Sequence, residues 1–133
     1  QFEPENPQPW GMTAHVVYSA IDDLQPATHS SIAIRKIIRE LIGFEGFLIS
    51  DCLTMEALEG SFTNRTEKAF HAECDAVLYC EGHLDEMEEV AHAAPLLSTK
   101  AVERLEKSLL PKKQLLTAEQ QQEYQECLRQ NWM

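Results

Sequence analysis

One carboxylate in the sequence stands where acids often do chemistry in α/β proteins. Asp51 directly follows the apolar run 46–50 (Gly-Phe-Leu-Ile-Ser), which is typical of a short buried strand. Ligands of parallel α/β folds bind at the carboxyl ends of the strands, so an acid at this place is a catalytic candidate. Asp51 could instead cap the amino end of a short helix over 53–59. Position alone does not separate these two interpretations.

The cysteines offer a second kind of chemistry. Cys52 stands at the start of the same predicted helix, where a lowered thiol pKa would suit a nucleophilic or redox role, but the sequence shows no partner histidine. A zinc site would draw on Cys74, Cys80 and His83, yet the C-x5-C spacing does not fit a zinc knuckle. We therefore predict no metal and no cofactor. Because disulfide scaffolds are denser in cysteine and richer in loops, we expect all the cysteines, Cys127 included, to be reduced in a cytoplasmic protein.

The elements that must position these residues alternate between strands and helices. Strands are predicted at residues 11–18, 46–50 and 76–80, each apolar on both faces as in a parallel sheet. A helix is predicted from the spacing of Ile34, Ile37, Ile38 and Leu41, with Gly43 just past its end. Further helices are predicted at 64–73, from Leu84 towards Pro95 and from Ser98 towards Pro111. This alternation predicts a parallel α/β fold.

Size and charge exclude several classes of protein. The chain has 133 residues, which suggests one domain, and its 11 Lys+Arg against 22 Asp+Glu give a net charge of −11. Such an acidic chain repels phosphate backbones, so we expect no nucleic acid partner. No apolar run is long enough for a membrane helix, and the polar, proline-rich start does not resemble a signal peptide. Because the chain begins with Gln1, we interpret it as a piece of something longer.

Several short motifs together make the chain recognisable. They are Met12-Thr13-Ala14-His15-Val16, Ala20-Ile21-Asp22, Pro26-Ala27-Thr28, the Gly43-Phe44-x-Gly46 turn and Ser50-Asp51-Cys52-Leu53-Thr54-Met55. In this order and spacing they resemble the bacterial β-N-acetylglucosaminidases of glycoside hydrolase family 3, over residues 11 to about 110. The run 72–78, Ala-Glu-Cys-Asp-Ala-Val-Leu, looks like the last barrel strand of that family and its approach.

The resemblance implies a fold and an activity. The implied fold is α/β: the last three βα units of a (β/α)8 TIM barrel, followed by C-terminal helices. The resemblance makes residues 11–110 the C-terminal portion of the barrel; independently of it, the prolines of residues 1–10 predict an extended lead-in, and the capping box at 117–120 predicts a helical tail over 111–133. The implied activity is the retaining hydrolysis of terminal β-linked N-acetylglucosamine from muropeptides or glycans in peptidoglycan recycling.

The resemblance also assigns roles to particular residues. Asp51 matches the nucleophile, the first Asp of the family's S-D-D-L-x-M pattern, and a retaining mechanism needs such a carboxylate. Cys52 replaces the second Asp of that pattern, which changes the charge beside Asp51. Glu73 stands where a Gly is usual. His15 could bind the sugar from inside the barrel, although a packed, hydrogen-bonded core histidine is the favoured interpretation.

One expected part of the family's machinery has no counterpart in this sequence. The family's acid/base is a His in a K-H-F-x-G-H-G segment, and none of the chain's five histidines lies in such a segment. The upstream sugar-binding strands are missing too, so we expect the chain alone to be inactive or nearly so. The alternative is a non-catalytic remnant or interaction module. Since a sheet cut from a barrel has open edges and an uncovered apolar face, we expect a homo-oligomer.

Overall fold

A computed structural model describes residues 9–109 and, beyond them, only the exposed positions Gln122, Glu126 and Arg129. Most of the predicted helical tail at 111–133 and most of the lead-in at 1–10 therefore lie outside the described residues. The strands are β1 (Trp10–Met12), β2 (Phe47–Cys52) and β3 (Ala76–Leu78). The helices are α1 (Ile32–Leu41), α2 (Phe62–His71), α3 (Leu84–Ala93) and α4 (Thr99–Leu109), and a short 3-10 turn covers Ala27–His29.

The three strands form one parallel sheet in the order β1-β2-β3. Helix α1 connects β1 to β2, and helix α2 connects β2 to β3. Neighbouring parallel strands joined through a helix are the repeating unit of α/β proteins. The predicted alternation and the parallel sheet are thus confirmed.

The first strand is shorter than the predicted 11–18. Only Trp10–Met12 pair with β2; Thr13 N–H still donates to the carbonyl of Ile49 at 2.9 Å, and the carbonyls that follow find other partners. The carbonyl of Ala14 accepts from Thr28 N–H at 3.2 Å, and that of Val16 accepts from Ala27 N–H at 2.8 Å. From Ala14 onwards the segment is therefore bonded to the turn before α1 instead of to the sheet.

The predicted helix over 53–59 is wrong, because β2 continues through Cys52 and two successive turns follow it. Met55 N–H donates to the carbonyl of Cys52 at 3.3 Å, and Leu58 N–H donates to that of Met55 at 3.2 Å. Leu53 and Leu58 are buried in a small cluster with Val90 of α3, and this burial holds the turns in place. Asp51 consequently lies inside β2 and does not cap a helix.

The main core lies between the sheet and helices α1 and α2. It consists of buried residues from four successive parts of the chain: Ile34, Leu48, Ala69, Ala72 and Cys74. Helix α1 has the π type of hydrogen bonding, seen where Ile42 N–H donates to the carbonyl of Ile37. This winding takes more residues per turn, so Leu41, predicted on the apolar face, is exposed. None of the helices among the described residues is long and apolar enough to cross a membrane.

A buried carboxylate fastens the last helix to this core. Asp75, directly before β3, accepts hydrogen bonds from Arg39 of α1 at 2.8 Å and from Arg104 of α4 at 2.7 Å. It also accepts from the backbone N–H of Leu48 in β2 at 2.9 Å. Since Asp75 is almost inaccessible to water, these charge-assisted bonds replace its hydration, and they tie two helices and a strand to one residue.

The backbone at Glu73 explains why a glycine would suit this position. Glu73 has φ of 79°, in the left-handed region where a side chain costs about 1–2 kcal/mol. Its ion pair with Arg35 is largely exposed and compensates little. We expect Glu73→Gly to raise the free energy of unfolding by about 1 kcal/mol in urea denaturation.

Glu73→Ala is the matched control for this prediction. It removes the same ion pair but keeps a Cβ atom in the left-handed region, so it should not stabilise the protein. Equal stabilities of the two variants would show that the backbone at this position is not strained.

Candidate active site

The pairing of β2 with β3 is irregular next to Asp51. Ile49 pairs with Ala76 and Cys52 pairs with Leu78, so three steps along β2 are matched by two along β3. The extra residue forms a bulge, in which the hydroxyl of Ser50 accepts from Leu78 N–H at 3.0 Å. Bulges redirect side chains and are frequent beside active sites. Here the bulge contains Asp51 at the carboxyl end of the central strand.

The Asp51 carboxylate is half-buried and only partly engaged. Its Oδ1 accepts from the backbone N–H of Cys52 at 2.7 Å. Within residues 9–109, no basic side chain forms an ion pair with it, and its Oδ2 accepts no hydrogen bond. A carboxylate with a free oxygen at a strand end can act as a nucleophile or stabilise a developing positive charge.

His15 hydrogen bonds to the backbone at the same end of β2. Its Nε2 donates to the carbonyl of Cys52 at 2.9 Å, because a carbonyl can only accept. In neutral His15 the Nδ1 then accepts from the hydroxyl of Thr28 at 2.8 Å, and Thr28 in turn bonds Thr13 at 2.8 Å. Both ring nitrogens are occupied and the side chain is buried, which is the packed arrangement favoured from the sequence. A direct contact of His15 with a sugar stays a prediction.

None of the other four histidines hydrogen bonds to Asp51 within the described residues. His29 is half-buried, and this burial lowers its pKa to about 4, so it is neutral near pH 7. Its Nε2 donates to the carbonyl of Arg65 at 3.1 Å. His71, His83 and His92 are exposed and lie in or beside helices α2 and α3. The described residues thus hold a candidate nucleophile to which no histidine side chain is hydrogen bonded.

The sequence does not single out Arg65, the side chain that holds the loop after β2. Arg65 of α2 donates from Nη1 to the carbonyl of Leu53 at 2.6 Å and from Nε to that of Gly60 at 3.0 Å. One guanidinium thereby fixes both ends of the segment that follows Asp51. No motif signals this role, since the contacts join a helix to a loop through carbonyls that every residue carries.

The cysteines considered for zinc are not gathered into a site. Cys74 is buried and its thiol donates to the carbonyl of Thr28 at 3.8 Å, whereas Cys80 and His83 are exposed. Burial raises the pKa of Cys74 to about 12, which makes it an inert thiol. Nowhere in the described part of the chain do three His, Cys, Asp or Glu side chains come together as metal ligands.

Parallel βα units with a carboxylate at the carboxyl end of the central strand are the arrangement of α/β barrel proteins, whose functional sites form at that end of the strands. The chain belongs to glycoside hydrolase family 3, because the family model described as "Glycosyl hydrolase family 3 N terminal domain" matches residues 5–124. The family resemblance inferred from the motifs around His15 and Asp51 is thereby confirmed.

Curated relatives support this assignment and show how much of the family the chain spans. A β-hexosaminidase of Chromobacterium violaceum is 39% identical over 98 residues, which are 72% of this chain and 27% of the relative. One of Nitrosospira multiformis is 45% identical over 71 residues, which are 52% of this chain and 20% of the relative. The chain therefore spans about a quarter or less of these two relatives.

Solved structures agree with the fold. Native NagZ from Neisseria gonorrhoeae is 33% identical and matches with a TM-score of 0.62, over 74% of this chain and 27% of that one. The family 3 β-N-acetylglucosaminidase of Paenibacillus sp. is 26% identical with a TM-score of 0.64, over 77% of this chain and 21% of that one. The prediction of a partial (β/α)8 barrel is confirmed.

Proposed function

We propose that this chain is the C-terminal part of the catalytic barrel of a retaining β-N-acetylglucosaminidase, in which Asp51 is the nucleophile. The observation that carries the proposal is the free oxygen of Asp51, presented by the bulge at the end of the central strand. The carboxylate would attack the anomeric carbon and form a glycosyl-enzyme, which water then hydrolyses. The substrate would be a terminal β-linked N-acetylglucosamine.

Several contacts support a site prepared for this step. His15 and Arg65 hold the backbone on either side of Leu53, so the carboxylate needs little reorganisation when it attacks. The general acid and the groups that bind the sugar would come from the other units of the barrel. We further propose that the protein is cytoplasmic and acts in peptidoglycan recycling, which is what the resemblance of its motifs to the family's bacterial β-N-acetylglucosaminidases implies.

A grafting experiment tests the proposed function. Residues 9–109 replace the matching segment of the Chromobacterium violaceum β-hexosaminidase, which supplies the remaining barrel units. We expect the chimera to release p-nitrophenol from p-nitrophenyl N-acetyl-β-glucosaminide, whereas the isolated chain should show no turnover above background. A folded chimera without activity, or an isolated chain with an ordinary enzymatic rate, would contradict the proposal.

Self-association is a second candidate function, favoured by the exposed apolar residues in and after β1. These residues are each between 44% and 54% exposed: Trp10, Met12, Val16, Val17 and Tyr18. Strand β1 is also an edge of the sheet, so one row of its backbone groups faces no other strand of the described residues. Such a patch beside an open edge is suited to pairing with a second copy of the chain.

Light scattering at micromolar concentration tests the self-association. We expect a dimer or larger homo-oligomer that Met12→Lys shifts towards the monomer, because a charge on an edge strand opposes strand pairing. Leu24→Lys, at an exposed apolar residue in the loop after Tyr18, is the matched control and should leave the mass unchanged. A monomeric wild-type chain would exclude this function.

A further inference from the structure

Two thiols meet where β2 and β3 end. Cys52 is the last residue of β2 and pairs with Leu78, the last residue of β3, so Cys80 lies only two residues beyond the paired position. Since side chains two residues apart on a strand point to the same face, Cys80 follows Leu78 on the face that Cys52 shares, and it lies near enough to lower the pKa of Cys52. Both cysteines are unpaired, and Cys52 is partly accessible while Cys80 is exposed.

The surroundings of Cys52 favour its thiolate. Burial opposes ionisation, but hydrogen bonds from the hydroxyl and N–H of Thr54, then from Cys80, lower the pKa of Cys52 below its ordinary value. The Thr54 hydroxyl lies 3.1 Å from the Cys52 sulfur. The pKa of Cys80 is raised, first by its hydrogen bond to Cys52, then by burial and by the charges of Cys52, Asp51 and Glu81. Cys52 is therefore suited to attack a disulfide as a thiolate, and Cys80 stays protonated until the second step of the exchange.

We propose that Cys52 and Cys80 form a redox-active dithiol, which low-molecular-weight disulfides convert into an intramolecular disulfide at the strand ends beside Asp51. The proposal does not depend on the catalytic role of Asp51. Its sequence signal is weak, because the two cysteines stand in separate βα units and only the parallel pairing of β2 with β3 brings them together.

The reaction balances with oxidised glutathione as the oxidant. The Cys52 thiolate attacks one glutathione sulfur, a mixed disulfide forms, and the first glutathione leaves as a thiolate that takes up a proton. Cys80 then loses its proton and attacks the Cys52 sulfur, which releases the second glutathione. Two protein thiols are oxidised, and one molecule of oxidised glutathione is reduced to two of glutathione.

The ladder between β2 and β3 does not hold Cys80 in place. A disulfide needs its two Cα atoms within about 6.8 Å of each other. Because β3 ends at Leu78, Cys80 lies outside the ladder and can approach Cys52 without breaking a hydrogen bond between the strands. The resulting bridge would connect the carboxyl ends of β2 and β3 covalently.

The test uses the full chain with Cys127→Ser, which removes the one cysteine outside the described residues. After treatment with oxidised glutathione, we expect the intact mass to fall by two hydrogens and peptide mapping to find Cys52 linked to Cys80. Cys74 should stay reduced and react on the order of a hundredfold more slowly, because its thiolate is scarce.

Two further variants in the Cys127→Ser background keep the result interpretable. With Cys80→Ser, a mixed disulfide of Cys52 with glutathione should accumulate, because no second thiol displaces it. With Cys52→Ser, no intramolecular bridge should form. The proposal would be overturned if Cys52 and Cys80 stay reduced in the folded chain, if the mixed disulfide persists beside a free Cys80, or if the bridge involves Cys74.

Discussion

Replacing Asp51 by Asn in the grafted barrel should lower kcat for p-nitrophenyl N-acetyl-β-glucosaminide by roughly 10³-fold or more. The amide has nearly the shape of the carboxylate and can still accept from Cys52 N–H, so the fold around the bulge should be unchanged. What it lacks is the negative charge and the nucleophilic oxygen, without which no glycosyl-enzyme forms. KM should change much less than kcat.

Two measurements separate a catalytic loss from a structural one. The matched control is Asp85→Asn, at an exposed carboxylate in the first turn of α3, which should leave kcat within about twofold of the parent chimera. Added azide should restore part of the activity of an Asp51→Ala chimera, since a small anion can occupy the emptied space and attack in place of the carboxylate. If Asp51→Asn retains most of the parent's kcat, Asp51 is not the nucleophile.

Replacing Asp75 by Asn should lower the free energy of unfolding of the chain by about 3–5 kcal/mol. Asn fills the same volume but leaves the guanidinium groups of Arg39 and Arg104 without their counter-charge. The side chain of Arg39 is only 11% exposed, so water cannot replace the lost carboxylate there. Small domains are stable by about 5–15 kcal/mol, so a loss of this size should move the midpoint of urea denaturation to a clearly lower urea concentration. Circular dichroism follows the unfolding.

An exposed pair supplies the control for this second prediction. Glu73→Gln removes the partner of Arg35, whose side chain is 56% exposed, and should cost at most about 1 kcal/mol. Combining Asp75→Asn with Arg39→Met should recover part of the loss, because the second change removes a buried charge whose counter-charge is gone, although it also gives up the hydrogen bonds from Arg39 to the carbonyls of Phe44 and Gly46. Equal effects of Asp75→Asn and Glu73→Gln would show that the buried network contributes no more than a surface pair.

The order of the elements could be predicted from the sequence, because apolar periodicity reports burial directly. The runs around Leu48 and Val77 read as strands, and Gly43, with φ of 74°, ends α1 as predicted. Leu41 was misplaced because the periodicity assumed ordinary α-helical winding, and no residue type signals a π-type helix. The strand 11–18 was overextended because β-branched residues such as Val16 favour strands even where the backbone bonds a turn.

Only those features of the candidate site that depend on neighbouring residues could be predicted from the sequence. Asp51 was found from its place after an apolar run and from a family motif, both of which are local. The contacts of His15 with Thr28 and Cys52, and those of Arg65 with the loop after β2, join residues far apart in the chain. The meeting of Cys52 with Cys80 likewise depends on strand register, which a single sequence does not encode visibly.

The bulge at Ser50 and Asp51 also affects how this protein can change by mutation. The bulge depends on the number of residues in β2 and not on their types. Substitutions can therefore alter the chemistry of the strand end while the strand keeps its direction. A single-residue deletion in β2 would restore regular pairing with β3 and turn every later side chain of the strand to the opposite face. The segment should therefore tolerate replacements, such as Cys for Asp at position 52, far better than any deletion. Relatives should accordingly keep the same number of residues between the paired positions of β2.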